Sequence, residues 1–278
     1  MLTPLLLGWL GCSSAPETPP EPAVALADPV EAPAPPPVST ADVQGALARS
    51  AAWSRAYPER LAFDAHIGSW AIATLSNHPD WVALDRERRA VQPDKDHEHI
   101  RLWESEARLD RAYIHRWTPP VDGTRVNPNR VVTEALYCPE HGVRPQTLAY
   151  LCGPMRDEGG YHSTHALWAL VLASEAGCAV QPDCSDALVT EMAANQPSPF
   201  SPATTLDIDL YGERLLMSCL ATECGPEHDP WVATLLSLQA EDGSWSVPGT
   251  GEPRFTYHAT MIASWALSAW LDKRREVR

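Results

Sequence analysis

Acid and imidazole side chains recur at one kind of place in this sequence. Asp64 and His66, Asp110, His162 and His165, Asp207 and Asp209, and His258 all lie at or near the start of apolar, helix-periodic runs. His162 and His165, three residues apart, share one helix face. With Asp207 or Asp209 and with His258 they offer a nitrogen and oxygen ligand set for zinc or another divalent metal. Such a set leaves a coordination position open for water, as a hydrolytic centre requires. The positive end of a helix dipole favours ionised Asp and neutral, ligating His at these positions. The competing reading makes Asp207 and Asp209 helix caps and gives the histidines buried backbone or carboxylate partners. His97-Glu98-His99 lies in a charged stretch and reads as a solvated helix face. Asp110 with Asp207 is a further carboxylate pair of the kind glycoside chemistry uses, at separations of roughly 5–9.5 Å. The Gly-x-Ser-x-Gly elbow, the phosphate loop and the dinucleotide fingerprint are all absent.

Positioning these groups falls to helices, because helical periodicity dominates and strand-like alternation is nearly absent. One set, beginning near Phe63, Glu104, Tyr161, Thr205 and Tyr257, is apolar on most sides and predicted to be buried. More amphipathic stretches near 42–56, 80–91, 128–137, 185–195 and 229–240 alternate with it. The Trp-Ala pairs at Trp70, Trp168 and Trp265 are 98 and 97 residues apart, and Leu109-Asp110 and Leu206-Asp207 are also 97 apart. Half that interval is one helical hairpin with its loops, the signature of a helical array. In such an array the buried helices run parallel and gather their N-termini at one mouth. The expected pocket has Asp64, His66, Asp110, Tyr161 and Tyr257 at its rim and Trp70, Trp168 and Trp265 as its walls. A small-molecule, glycan or peptide ligand suits such a pocket.

Leu238-Gln239-Ala240-Glu241-Asp242-Gly243-Ser244-Trp245 resembles the Gln-x(2–5)-Gly-x-Trp element of the terpene cyclases and the prenyltransferase β-subunit repeats. Gly251 to Ala259 is similar to the segment that leads those repeats into an inner helix, and Asp157 to Ala166 is a weaker copy. The resemblance covers residues 130–272 by motif and 42–118 by helix spacing. It implies an all-α fold, an α/α toroid with inner helices around a central pocket. It also implies zinc ligands at an Asp-x-Cys and a Tyr-His pair. Here Asp207-Ile208-Asp209 and Tyr257-His258 occupy those places, so Asp207 and His258 match and Asp209 replaces the thiolate. Oxygen for sulfur favours harder metals and argues against prenyl transfer to a cysteine. The Gln-Gly-Trp element itself is structural: Gly243 supplies the turn geometry, Gln239 caps backbone groups and Trp245 packs beneath the neighbouring hairpin.

The N-terminal run Met1 to Gly11 is too short for a spanning helix of roughly 20 residues. Leu10-Gly11-Cys12-Ser13 resembles the lipobox of bacterial lipoproteins, which implies cleavage after residue 11 and a lipid on Cys12. Residues 13–38 hold nine prolines and no aromatic residue, so residues 12–39 read as an extended tether and 40–278 as one domain. The implied location is the cell envelope, with the lipid-bearing Cys12 as the membrane partner. Six further cysteines, Cys138, Cys152, Cys178, Cys184, Cys219 and Cys224, form an even set that reads as disulfides in an exported protein. Sequential pairing is the preferred one of 15. Their spacings lack the CxxC knuckle of a thiolate metal site. A formal charge of −15 and a pI near 5.0 argue against nucleic-acid and anionic-lipid partners.

Overall fold

The computed structural model describes residues 37–57, 63–90, 98–120, 126–250 and 253–276, without the side chains of residues 63, 64 and 276. The leader, Cys12, nearly all of the tether, the Asp64 side chain and His97 therefore lie outside the described residues. Within them the protein is all-helical, with no strand. Helices α1 (Thr40–Ala56), α2 (Phe63–Ser76) and α3 (Pro79–Arg89) are followed by α4 (Arg111–Ile114), α5 (Asn129–Leu136), α6 (Cys138–His141) and α7 (Pro145–Tyr150). A π turn, Leu151–Met155, leads into α8 (Arg156–Glu158). Then come α9 (Tyr161–Glu175), α10 (Pro182–Ala194), α11 (Thr205–Ala221), α12 (Asp229–Ser237) and α13 (Pro253–Glu276). Among the described residues no helix is long and apolar enough to cross a membrane.

Local chemistry explains the helix starts. The Ser39 hydroxyl accepts from Asp42 N at 3.1 Å and caps α1. Pro79, Pro182 and Pro230 stand in the first turn of α3, α10 and α12, where a missing N–H costs nothing. The stretch from Glu104, expected to open a buried helix, instead forms turns and only the four-residue α4. Asp110 caps that short helix through Ala112 N at 2.6 Å, and Pro119-Pro120 follow before any longer helix can form.

Packing then follows a chain of neighbours: α5 against α9, α9 against α11, α11 against α13, and α13 against α2. Outside them α10 covers α9, and α1 and α3 cover α2 and α13, with Trp81 Nε1 donating to Leu47 O at 2.9 Å. The Gln-Gly-Trp turn fastens the last hairpin to the first helix. Gln239 Nε2 donates to Ala46 O at 2.9 Å and to Gly243 O at 3.0 Å, while Arg49 Nε donates to Gln239 Oε1 at 3.0 Å. Trp245 is fully buried and its Nε1 donates to Leu235 O at 2.7 Å. Gly243 adopts φ +94°, and a Cβ there would lie 2.4 Å from Arg49 O, a backbone atom that cannot swing away. Gly243→Ala is therefore expected to cost about 1–3 kcal/mol. A thermal melt checks this, and an unchanged midpoint would show the turn to be dispensable.

Among the described residues three disulfides are present, and two depart from sequential pairing. Cys138 joins Cys178 and Cys152 joins Cys184, with Cα separations of 6.3 and 5.4 Å, whereas Cys219 joins Cys224 as expected. The cause is tertiary: α9 packs along α5 and leaves Cys178 just beyond its C-terminus, beside the start of α6. The π turn that holds Cys152 contacts α10, which carries Cys184 in its first turn.

Candidate functional site

The first turn of α9 and the second turns of α11 and α13 meet. Gly159 and Gly160, at φ +70° and +57°, turn the chain sharply so that α9 begins at Tyr161. The Tyr161 hydroxyl donates to Asp209 Oδ2 at 2.7 Å, and Asp209 Oδ1 lies 2.8 Å from His258 Nδ1. A carboxylate only accepts, so Nδ1 of His258 carries the proton of that bond. Asp209 is buried, whereas the His258 side chain is 41% exposed.

One turn deeper, Thr164 Oγ1 donates to Glu213 Oε2 at 2.5 Å, and His165 Nδ1 lies 3.8 Å from the same oxygen. Burial, reinforced by the nearby Asp209 charge, pushes the Glu213 carboxyl up to about 8. Burial likewise pushes His165 down to about 4, so the ring is neutral near pH 7. Its Nδ1 lies 2.8 Å from the Tyr161 carbonyl, which fixes the proton on Nδ1. Burial, then the Asp209 charge, raises the Tyr161 phenol far above its ordinary value, so it stays a donor.

Of these groups, His165, Glu213 and His258 border a cavity of about 250 Å³. His99, Asn129, His165, Glu213, Arg254 and His258 give it polar walls, while Ile67, Met217, Met261 and Ile262 give it apolar ones. Trp168 and Trp265 form an aromatic corner, with ring centroids 6.0 Å apart and planes at 87°. Ligand atoms of Asp209, Glu213 and His258 all lie within 4.8 Å of one another.

Of the sequence candidates, Asp209, His258, Tyr161, His165, Trp168, Trp265 and Tyr257 come together here. Asp207 does not: its carboxylate accepts from the Thr204 N–H at 2.8 Å and the Ala203 N–H at 3.0 Å, closing a capping box with Thr204. His162 lies 3.5 Å from Glu158 and does not line the cavity. His66 is buried and stacks on Trp103 at 5.2 Å, its pKa lowered by burial and then by Arg88. Trp70 is half-buried and not a lining residue, and Asp110 is exposed on α4.

His99 corrects an expectation in the other direction. Read as part of a solvated face, it is 5% exposed, its Nε2 lies 3.4 Å from Asn129 O, and it lines the cavity. The sequence reading also passed over Glu213. Its signal was available: it stands four residues after Asp209, hence on the same helix face. No family model, curated protein or solved structure matches the chain.

Proposed function

We propose that the cavity is the active centre of a hydrolase or lyase that uses a divalent metal held by Asp209, Glu213 and His258. The observation that carries this reading is the convergence of those three side chains, two of them buried, beside a cavity that Glu213 and His258 line. Two carboxylates and one imidazole suit zinc or a harder divalent ion. Bound there, such an ion would polarise a ligand oxygen and acidify a water. The protein's own groups do the positioning. Tyr161 fixes one Asp209 oxygen, Thr164 fixes Glu213, and neutral His165 adds no competing positive charge.

The surrounding architecture is proposed to be an α/α toroid of the terpene-cyclase and prenyltransferase type. Supporting this, α2, α13, α11, α9 and α5 follow one another as neighbours. Residues 98–103 bridge the remaining interval, since His99 meets Asn129 of α5 and Trp103 stacks on His66 of α2. We further propose that the domain is carried on an exported lipoprotein anchored through Cys12 in the cell envelope, a setting in which three disulfides persist.

Metal analysis of the purified full chain tests the centre. One ion per chain is expected in the wild type and none at stoichiometry in Asp209→Asn or His258→Ala. Asp207→Ala is expected to retain the ion and to lose about 1 kcal/mol as a missing cap. A wild type that neither carries nor takes up zinc or manganese would falsify the metal centre. One observation favours a second reading, a non-catalytic ligand-binding or scaffold module: Asp209 already has a hydrogen bond on each oxygen. That reading predicts a metal-free protein that still binds a ligand in the cavity.

A further inference from the structure

Any ligand of this cavity must satisfy two opposite demands. The Trp168–Trp265 corner and the Ile67, Met217, Met261 and Ile262 side chains reward a flat apolar face. Beside them, His99, Asn129, His165, Glu213 and His258 make the wall polar, and a hydrocarbon laid against it would displace water and return no hydrogen bond. Trp265 adds to that demand, because its Nε1 is buried without a hydrogen-bond partner among the described residues. The volume, about 250 Å³, lies just under the usual range of small-molecule sites, roughly 300–1,000 Å³, which admits one substituted ring and excludes a long chain. A compact ring with an apolar face and several hydroxyls around its edge meets all three conditions.

We propose that the cavity binds a single monosaccharide unit, stacked on Trp168 or Trp265 with its hydroxyls toward Glu213, His258 and Asn129. This rests on reading the cavity as the site, but not on the metal. Its size limit is set by Gly68, where a Cβ would lie 2.3 Å from Met261 Cε. Both residues line the cavity, so a methyl group at Gly68 takes its room from the ligand. The thioether end is flexible enough to let the fold survive that change.

Saturation-transfer NMR and tryptophan fluorescence on the full chain, with a panel of hexoses and hexosamines, test the proposal. Benzoate, cyclohexanol and a short isoprenoid alcohol serve as controls. At least one sugar is expected to bind saturably and the controls to bind far more weakly. Trp168→Ala should weaken that sugar about tenfold through loss of stacking. Gly68→Ala should abolish its binding, with circular dichroism and metal content unchanged from the wild type. Failure of every sugar, equal binding of the controls, or indifference to both substitutions overturns the inference. Metal content measured on the same samples separates the two claims. Sugar binding without metal leaves this inference standing and removes the metal centre, whereas metal without sugar does the reverse.

Discussion

Glu134→Ala is expected to lose about 3–5 kcal/mol of folding stability, the usual result of removing one partner from a buried ion pair. Glu134 is fully buried on α5. Its Oε1 accepts from Arg144 N at 2.7 Å, and its Oε2 accepts from Arg144 Nη2 at 2.7 Å and Thr147 Oγ1 at 3.0 Å. The guanidinium also reaches the Trp117 carbonyl at 2.9 Å, so one carboxylate ties α5 to the start of α7 and to the loop at residue 117. Truncation strands a cation that is only 16% exposed, together with a backbone N–H and a hydroxyl. Replacing both partners, as in Glu134→Leu with Arg144→Met, removes the stranded charge and is expected to recover most of the loss. Chemical denaturation of the two single variants and the double variant checks this. A single-variant loss below about 1 kcal/mol would show that the network does not hold this region together.

Gly212→Val is expected to dismantle the candidate site without touching any of its polar groups. A Cβ at Gly212 would lie 3.1 Å from Ile262 Cγ2 and 3.5 Å from Ala263 N, so α11 and α13 approach as closely as they do because this position carries no side chain. Valine adds two more carbons against backbone, with an overpacking cost of about 1–3 kcal/mol. The larger consequence is geometric. Asp209 stands one turn before Gly212 and His258 one turn before Ile262, so spreading the helices lengthens their 2.8 Å contact. The content of the proposed metal should fall along with the melting midpoint, while Gly212→Ala, whose single methyl meets Ile262 Cγ2 at 3.1 Å and Ala263 N at 3.5 Å, should lower both less than valine does. If the valine variant keeps the midpoint and the metal content of the wild type, the close helix approach does not set the site.

Sequence and structure agree where local chemistry decides. The Gln239, Gly243 and Trp245 turn behaves as its residue types require, and α1, α3, α10 and α12 fall on the amphipathic stretches expected to be helical. Tyr161, Asp209 and His258 are legible because polar residues at the starts of buried helices have few other places to go. The choice between Asp207 and Asp209 is not legible by type, since both carboxylates sit in one helical turn. Thr204 decides it by drawing Asp207 into the cap and leaving Asp209 to face Tyr161 and His258. His99 hides between Glu98, whose carboxylate meets Tyr113 and Arg130, and Arg101, which pairs with Glu140. The cysteine pairing depends on which helices lie side by side, and a list of spacings cannot contain that.

The attachment of the last hairpin to the first helix also bears on the order in which the chain can fold. Gln239 to Ala46, Ser264 to Ser50 and Arg275 to Leu75 span sequence separations of 193, 214 and 200 residues. Closing such loops costs entropy that no local contact repays, so these joints form late. Until α13 has been synthesised, the buried face of α1, with Val43, Ala46 and Leu47, has no complete partner surface. A chain threaded through a membrane before it folds, as the lipoprotein reading requires, would stay unfinished until its final helix arrives.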